Sequence, residues 1–323
     1  MKYYNCLLFL SIYFTSCGQS QKTTSRNSSN NSTLAEISVK EGGKWEGRKY
    51  IGGTFKNVEK LKLAKEHTDH SFDIRYEGPG WESNKIGYRL YLDWRNAIDI
   101  FGKKTNKIIL PQVGQDGFDS YHQMSDWGQD ILKAGKGIGI GSIDRFYNKE
   151  RQHFYVVDST IASVQNSTNT STVKINYHGW KTADDIIDLR SELTIEKDQR
   201  HTKHSFQSSK KINGICTGIV KQKNTEILKG ISKNKKWAYI ATYGQQSLIP
   251  DKLGMAIFYE MNTVENEVET ELDHLLVFKP STNLVDFYFT AAWEQEVNGI
   301  NSKEDFKKYL DEKLTLLNTK NKI

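Results

Sequence analysis

The chain of 323 residues has only three cysteines and four prolines. Cys6 and Cys17 lie in an N-terminal segment that reads as a targeting signal, so Cys216 is the only cysteine left in the predicted domain. This count excludes an intramolecular disulfide in that domain. Cys216 lies in the run GICTGIV, which predicts a small buried core residue rather than a catalytic thiol. All four prolines fall between predicted elements.

Several familiar sequence features are also missing. The net charge is +6, but the lysines and arginines are spread along the chain without a dense basic block, so nucleic acid is not predicted as a partner. A mildly basic protein attracts acidic polysaccharides by the same long-range field. There is no Walker loop, GxSxG elbow or HExxH motif. We therefore predict no cofactor, while the pattern leaves a divalent metal open.

The N-terminal segment predicts export. Lys2, an apolar stretch over residues 7–14 and the small residues before Cys17 resemble a lipoprotein signal peptide over residues 1–17, with lipid on Cys17. An ordinary secretory signal peptide is the alternative. Residues 18–35 are rich in Ser, Thr and Asn and predict a disordered tether. We expect a periplasmic protein whose lipid anchors it to a membrane, most simply the outer membrane.

Residues 36–323 are predicted to form a single domain. About a dozen runs alternate apolar and polar residues between polar or Gly-containing turns, which predicts one large antiparallel β-sandwich. The Gly-rich run 137–143 is predicted as a strand. Two helices are predicted, one over 126–134 and one over 302–317, the second beginning with Ser302 and Asp305 in capping positions.

Groups able to perform chemistry concentrate between Trp81 and Arg145. Tyr121 and His122 are adjacent, and both can transfer protons. The alternative for His122 is an imidazole satisfied by a backbone carbonyl. Asp126 follows at a spacing that could orient His122, or either Asp126 or Asp130 could bind a metal. Lys133 could replace either proton-transfer group.

The same block contains candidate substrate-binding residues. Arg89 and Arg95 could grip a carboxylate with paired hydrogen bonds, but a salt bridge on a solvated face is the commoner fate of such arginines. Glu82 could be a general acid or base, or a surface carboxylate, and Trp81 could cover the C–H face of a sugar. Later in the chain, His178 and Trp293 end strands and are weaker candidates.

The sequence resembles a family of exported bacterial proteins, long labelled only as a domain of unknown function, that are encoded in polysaccharide-utilisation gene clusters. The resemblance covers about residues 40–300. It includes LGMAIFYE and FYFTAAWE as closing strands, and the matching motif residues are Trp81, Glu82, Asn84, Lys85, Ile86, Arg89, Tyr121, His122, Asp126, Leu132, Lys133 and Gly135.

The resemblance implies a galactose-mutarotase-like β-supersandwich and action on oligosaccharides. Some relatives are dehydratases of ulvan breakdown, which remove water across C4–C5 of a terminal uronic acid. Such a reaction needs a cation near the carboxylate, a base for the C5 proton and an acid for the leaving hydroxyl. We assign these roles to Arg89 (with Asn84 or Arg95), His122 and Tyr121, and we expect Asp126 to hold the imidazole.

Other functions fit the same residues. A polysaccharide lyase needs the same three groups but expels a sugar instead of water. A sugar epimerase, a mutarotase and a glycoside hydrolase are further enzymatic alternatives. A glycan-binding lipoprotein without catalysis is the alternative from another class. The expected partner in every case is an oligosaccharide, anionic in the leading hypothesis.

Overall fold

The computed structural model describes residues 32–116, 120–223 and 225–323, together with Met1. In this part of the chain, β-strands dominate and one α-helix follows them. The elements are β1 (Thr33–Glu46), β2 (Lys49–Val58), β3 (Lys60–Lys62), β4 (Gly80–Ser83), β5 (Gly87–Leu90), β6 (Ile98–Lys103), β7 (Gly128–Asp130), β8 (Asp144–Tyr147), β9 (Glu150–Gln152), β10 (Ser159–Asn166), β11 (Thr170–Thr182), β12 (Asp185–Glu196), β13 (His201–Ser208), β14 (Ile215–Val220), β15 (Thr225–Ile231), β16 (Trp237–Gln245), β17 (Lys252–Glu260), β18 (Val264–Glu269), β19 (Asp273–Phe278), β20 (Val285–Trp293) and α1 (Lys303–Lys320).

These strands form three antiparallel sheets. The first has the order β2-β1-β4-β5-β6-β7. The second, with nine strands, has the order β15-β16-β17-β20-β13-β12-β11-β10-β3, and the third has the order β18-β19-β14-β8-β9. The predicted class, a mainly β antiparallel sandwich with few helices, is confirmed.

The alternating pattern of the sequence places the core correctly. In β11, Val173, Ile175 and Tyr177 are buried and the residues between them are partly exposed, because successive side chains of a strand point to opposite faces. The buried faces of the long strands contribute most of the main hydrophobic cluster. Cys216 is fully buried, as predicted, and burial raises the pKa of its thiol.

Helix α1 confirms the second predicted helix. The side chain of Ser302 accepts a hydrogen bond from the backbone N–H of Asp305, which satisfies one of the unpaired donors at the helix start. The apolar face of α1 packs on the nine-stranded sheet. The buried helix residues are Phe306, Leu310, Leu314 and Leu317, and they join a cluster with Trp237, Tyr239, Phe258 and Tyr288.

Two predicted elements are wrong. Residues 126–134 are not a helix, because β7 pairs there with β6 and a turn with paired backbone hydrogen bonds between Ser125 and Gly128 precedes it. Residues 137–143 form only isolated bridges, Ile98 with Gly139 and Ile140 with Ile219. Gly139 and Gly141 both have a φ of 70°, which interrupts a regular strand.

A strand is also present earlier in the chain than expected. Strand β1 begins at Thr33, inside the segment 18–35 predicted as a tether, and pairs with β2 in a long hairpin that the sequence did not predict. Residues 2–31 lie outside the described part, and with them Cys17, nearly all of the predicted signal segment and most of the tether. Within the described residues, no helix has the length and apolar character needed to cross a membrane.

Candidate active site

Three neighbouring strands of the six-stranded sheet carry the charged residues at the centre of the candidate site. Arg89 of β5 lies opposite Asp99 of β6, and Asp130 of β7 lies opposite Phe101 of β6. Residues two apart on a strand share a face, so Arg89, Asp99 and Asp130 point to the same side. Tyr91 follows Arg89 by two positions and lies beside it.

The guanidinium of Arg89 is buried and bonded at both terminal nitrogens. Nη2 donates to Asp130 Oδ2 at 2.6 Å, to Tyr91 Oη at 2.8 Å and to Asp99 Oδ2 at 3.2 Å. Nη1 donates to Tyr121 Oη at 3.0 Å. Burial lowers the pKa of Arg89, but the surrounding oxygens outweigh this and hold its pKa well above the ordinary value. A permanent cation therefore lies beside the Tyr121 phenol.

Asp99 is completely buried beside Arg89 and Asp130. Burial raises its pKa to about 7, and the neighbouring Asp130 carboxylate adds to the effect. Tyr91 donates a hydrogen bond to the Asp99 carboxyl. The total charge of the carboxyl groups that bond Arg89 therefore changes near neutral pH.

Tyr121 and His122 lie in a single 3-10 turn, Ser120–His122. Their ring centroids are 4.6 Å apart. The side chain of His122 is 36% exposed, and its Nε2 lies 3.3 Å from Asp130 Oδ2, the same oxygen that Arg89 bonds. Arg89 and His122 thus meet at one carboxylate oxygen. Asp130 takes the place that was predicted for Asp126, which is exposed.

Arg95 belongs to an adjoining group of carboxylates. Its Nη2 lies 2.9 Å from Glu77 Oε1 and 2.9 Å from Asp69 Oδ1, and it also bonds Asp93. The guanidinium lies 3.9 Å from the ring centroid of Tyr91. The salt-bridge alternative therefore describes Arg95 better than direct binding of a substrate.

One trio of side chains has the spacing of a metal site. Asp69, His70 and Glu77 each place a ligand atom within 4.8 Å of the others. Arg95 already lies against the carboxylates of Asp69 and Glu77. A metal ion there would be repelled by this guanidinium unless Arg95 moved away. We assign no metal to these residues.

A cavity of about 450 Å³ opens beside Tyr121. It is lined by Lys40, Gly53, Thr54, Phe55, Phe72, Arg75, Tyr76, Gly114, Gln115, Asp116 and Tyr121. Tyr121 is also part of a smaller pocket of about 290 Å³, together with Asp126 and Trp127. Tyr121 therefore lines both openings, and the larger one has room for a sugar ring.

The sequence analysis did not predict the cationic side chains that line this cavity. Lys40 lies on β1, whose hairpin was not predicted, and its Nζ lies 5.4 Å from the ring centroid of Phe55. Arg75 is buried and pairs with Glu36, and its Nη1 donates to the carbonyl of Pro111 at 3.2 Å. If the segment of β1 had been predicted as a strand from its alternating residues, Lys40 would have been a candidate.

The two predicted tryptophans are core residues. Trp81 pairs across strands with Tyr88, so it points away from Arg89, and its Nε1 donates to Thr202 Oγ1 at 2.9 Å. Trp293 is buried and its Nε1 donates to Asp251 Oδ2 at 2.7 Å. Both rings are buried and neither offers a face to a ligand, which argues against the stacking predicted for Trp81 and against substrate binding by Trp293.

Glu82 and Asn84 also have structural partners. Glu82 is completely buried, pairs with Lys103 Nζ at 2.5 Å and accepts backbone N–H bonds from Ile109 and Leu110. Asn84 Nδ2 donates to Asp198 Oδ1 at 2.6 Å in a turn-to-turn contact. Both side chains hold segments of the fold together and are not part of the candidate site.

Lys133 and His178 lie elsewhere. The side chain of Lys133 is exposed, and within the described residues no hydrogen bond or ion pair joins it to the Arg89 group. His178 is exposed on β11, with its Nδ1 3.7 Å from Asp188 Oδ2. Of the predicted residues, the structure brings together Arg89, Tyr121 and His122, with Arg95 adjoining them.

Comparisons with known proteins give a family and distant structural similarities. The sequence profile of a domain of unknown function, DUF4861, matches residues 18–323. No curated protein matches the chain. A 4-alpha-glucanotransferase from Thermococcus litoralis is 12% identical over 69% of this chain and 40% of its own, with a TM-score of 0.33.

Two further structures are similarly distant. A protein described as a kojibiose phosphorylase from human microbiome is 11% identical over 72% of this chain and 32% of its own, with a TM-score of 0.34. A protein described as an aldose 1-epimerase from Klebsiella pneumoniae subsp. pneumoniae MGH 78578 is 8% identical over 90% of this chain and 97% of its own, with a TM-score of 0.36. Similarities at this level say nothing about activity.

Proposed function

The chain belongs to the DUF4861 family of domains of unknown function, so its activity must be argued from its own residues, and we propose that it is an enzyme acting on oligosaccharides. The reaction we propose is the removal of water across C4–C5 of a terminal uronic acid. The product is a 4,5-unsaturated uronic acid at the same end of the same chain.

One observation carries this proposal. Tyr121 and His122 lie side by side, and each contacts a buried charged group: Tyr121 contacts Arg89, and His122 contacts Asp130. Arg89 and Asp130 are themselves bonded at 2.6 Å, so the two proton-transfer groups share one rigid support. Supporting groups of this kind hold catalytic side chains in the geometry that a reaction needs.

The proposed base is His122. The carboxylate of Asp130 lies 3.3 Å from Nε2 and orients the imidazole. In the reaction the imidazole takes the C5 proton, and the electron pair of the C5–H bond forms the C4=C5 double bond. Asp130 then stabilises the imidazolium.

The proposed acid is Tyr121. Its phenol gives a proton to the C4 hydroxyl as the C4–O bond breaks, so the leaving group is water. The negative charge left on the phenol oxygen is stabilised by Arg89 at 3.0 Å. The enzyme returns to its starting state when the imidazolium loses its proton and the phenolate regains one.

The substrate carboxylate needs a cation, and we propose Lys40 for this role instead of Arg89. The guanidinium of Arg89 is bonded to protein groups at both terminal nitrogens, which favours a positioning role over direct contact. Lys40 lines the cavity beside Tyr121 and is only partly buried. We assign the carboxylate to Lys40, whose charge offsets the charge that develops on the carboxylate as the C5 proton leaves.

The test uses saturated oligosaccharides that end in different uronic acids. We expect growth of the ultraviolet absorbance of the unsaturated product, and a product mass lower by one water. His122→Ala and Tyr121→Phe should each lower kcat by about 10²-fold or more, because each removes one proton-transfer group. His178→Ala is the matched control, since it removes an exposed histidine near a carboxylate, and it should leave kcat unchanged.

Other outcomes would contradict the proposal in distinct ways. Shorter products would indicate a lyase or a hydrolase instead of a dehydratase. Binding without any turnover across the panel would indicate a glycan-binding protein. Full activity of His122→Ala would remove His122 from the mechanism.

A further inference from the structure

A second cleft, of about 370 Å³, lies apart from the Tyr121 cavity and shares no lining residue with it. One wall is the segment after β3, another is the turn after β5, and a third is the segment that leads into β10. The residues that carry the argument are Lys62, Lys65, His67, Trp94 and Tyr155. None of the roles proposed above uses this cleft.

An aromatic pair forms one side of the cleft. The rings of Trp94 and Tyr155 stack with centroids 5.0 Å apart and an angle of 11° between their planes. Tyr155 is 66% exposed, which is unusual for a large aromatic side chain. His153 packs edge-on against both rings and keeps them in place. Flat, exposed aromatic faces of this kind suit the C–H patches of a pyranose ring.

A buried imidazole provides the polar contact. The side chain of His67 is 1% exposed, and its Nδ1 bonds Asp73 Oδ1 at 2.8 Å. Its Nε2 is buried and has no hydrogen-bond partner within the described residues. A buried polar atom left unpaired costs about 1–3 kcal/mol. Because Nδ1 faces Asp73, Nε2 is the nitrogen left for a ligand, which reaches it once the side chains that cover this nitrogen move aside.

The chemistry of Nε2 points to a hydroxyl group. Nδ1 donates its proton to Asp73, so Nε2 of the neutral ring is a hydrogen-bond acceptor. A sugar hydroxyl can donate to it, and can also accept from it if the ring becomes charged. Lys62 and Lys65 line the same cleft with exposed side chains; of its two aspartates, Asp93 is paired with Arg95 and Asp158 is exposed.

We propose that this cleft is a second sugar-binding subsite, which takes a pyranose residue of an acidic oligosaccharide. The ring stacks on the exposed side of Tyr155, which Trp94 supports from the other face; a hydroxyl bonds His67 Nε2 after the side chains that cover this nitrogen shift, and the lysines attract the acidic groups. The identity of the ligand rests on the proposed function, whereas the cleft itself rests on the geometry of these residues.

The test measures binding by calorimetry in a His122→Ala background, which prevents turnover. The probes are oligosaccharides that end in glucuronic or iduronic acid, with a neutral oligosaccharide of the same length for comparison. Tyr155→Ala and Trp94→Ala should each raise Kd about tenfold, which corresponds to the loss of one stacking contact. Tyr155 is exposed, so its replacement leaves the fold intact.

Trp45→Ala is the matched control. Trp45 is a partly exposed tryptophan that packs against a tyrosine, Tyr50, but it lies in the β1–β2 hairpin outside the cleft. It should leave Kd unchanged. If the Tyr155 and Trp94 variants bind as tightly as the parent, or if no oligosaccharide of the panel binds, the subsite does not exist.

Turnover separates this inference from the proposed function. In the background with His122 intact, Tyr155→Ala should raise KM and leave kcat unchanged, whereas His122→Ala lowers kcat. Dehydration together with oligosaccharide binding that is insensitive to Tyr155 would overturn the subsite alone. Binding that depends on Tyr155 without dehydration of any substrate would support the subsite and overturn the dehydratase.

Discussion

Individual buried residues show how much a protonation state depends on the surroundings. His204 of β13 is bonded at both nitrogens, Nδ1 to the carbonyl of Gly141 at 2.8 Å and Nε2 to Ser191 Oγ at 2.5 Å. Burial lowers its pKa to about 4. Asp99 shows the opposite case, because burial raises its pKa to about 7. The same desolvation disfavours the charged form of both groups.

The His204 pKa predicts a pH-dependent loss of stability. The unfolded chain binds a proton at this ring below about pH 6.5, whereas the folded chain does so only near pH 4. The contribution is therefore present above about pH 6.5 and is lost as the pH falls towards 4. It amounts to about 3 kcal/mol over that range.

The measurement is urea unfolding of the parent and of His204→Gln at several pH values between about 7 and about 4. The variant should be less stable at neutral pH, and the difference from the parent should shrink on acidification. His178→Gln, which replaces an exposed histidine in the same way, serves as the control for the substitution itself. A pH-independent difference for His204→Gln would show that the buried ring is not protonated on unfolding.

At the scale of single elements, helix α1 is the clearest case of local sequence agreeing with tertiary packing. Its capping residue and its apolar spacing both predicted the helix, and the apolar face is buried against the nine-stranded sheet. Most of the stability of such a helix comes from this packing and not from its propensity. The helix therefore covers a sheet face that would otherwise expose aromatic residues.

Truncation of the apolar face should destabilise the protein. Leu310 is completely buried in the cluster under α1. We expect Leu310→Ala to lower the free energy of unfolding by about 2–5 kcal/mol, since it removes buried methyl groups and leaves a cavity. Ser302→Ala should cost about 1 kcal/mol by loss of the cap.

Thermal and denaturant unfolding provide the measurement. Lys308→Ala is the control on the same helix, because its side chain is exposed, and it should change stability by less than about 0.5 kcal/mol. Equal effects of the Leu310 and Lys308 variants would mean that α1 is not packed on the sheet in solution.

At the scale of the whole molecule, charge is spread and only moderately positive. The net charge is +6, and the lysines and arginines form no dense block in the sequence. Many charged residues in the candidate site neutralise one another. The remaining positive field acts over about a Debye length, near 10 Å at moderate salt. It can raise the rate of encounter with an acidic ligand but does not fix its orientation.

If the substrate is an acidic oligosaccharide, kcat/KM should fall several-fold between roughly 20 mM and roughly 200 mM salt, while kcat stays constant. The reason is that salt screens long-range attraction and leaves the chemistry in the buried site unchanged. Initial rates at low substrate concentration measure this effect. The binding of a neutral oligosaccharide, measured as the control, should not depend on salt. If kcat/KM for the acidic substrate does not depend on salt either, the net charge has no role in the encounter.

Local patterns were sufficient for part of this protein. The alternation in β11, the capped amphipathic helix α1 and the burial of Cys216 depend on residues that are close in sequence, and all were predictable. The pair Tyr121 and His122 was visible for the same reason. The β1–β2 hairpin was missed because the exposed β2 has no apolar stripe.

Only the tertiary structure decided which charged residues meet. Arg89 and Asp130 are 41 positions apart yet bonded, and Lys40 joins the cavity from the first strand. Trp81 lies in the core because the pairing of β4 with β5 turns it away from Arg89. Sequence determined the long strands with an apolar stripe and which of their faces are apolar, since these depend on neighbouring residues. The partners of each charge depend on strand order and register, which arise from contacts between distant segments.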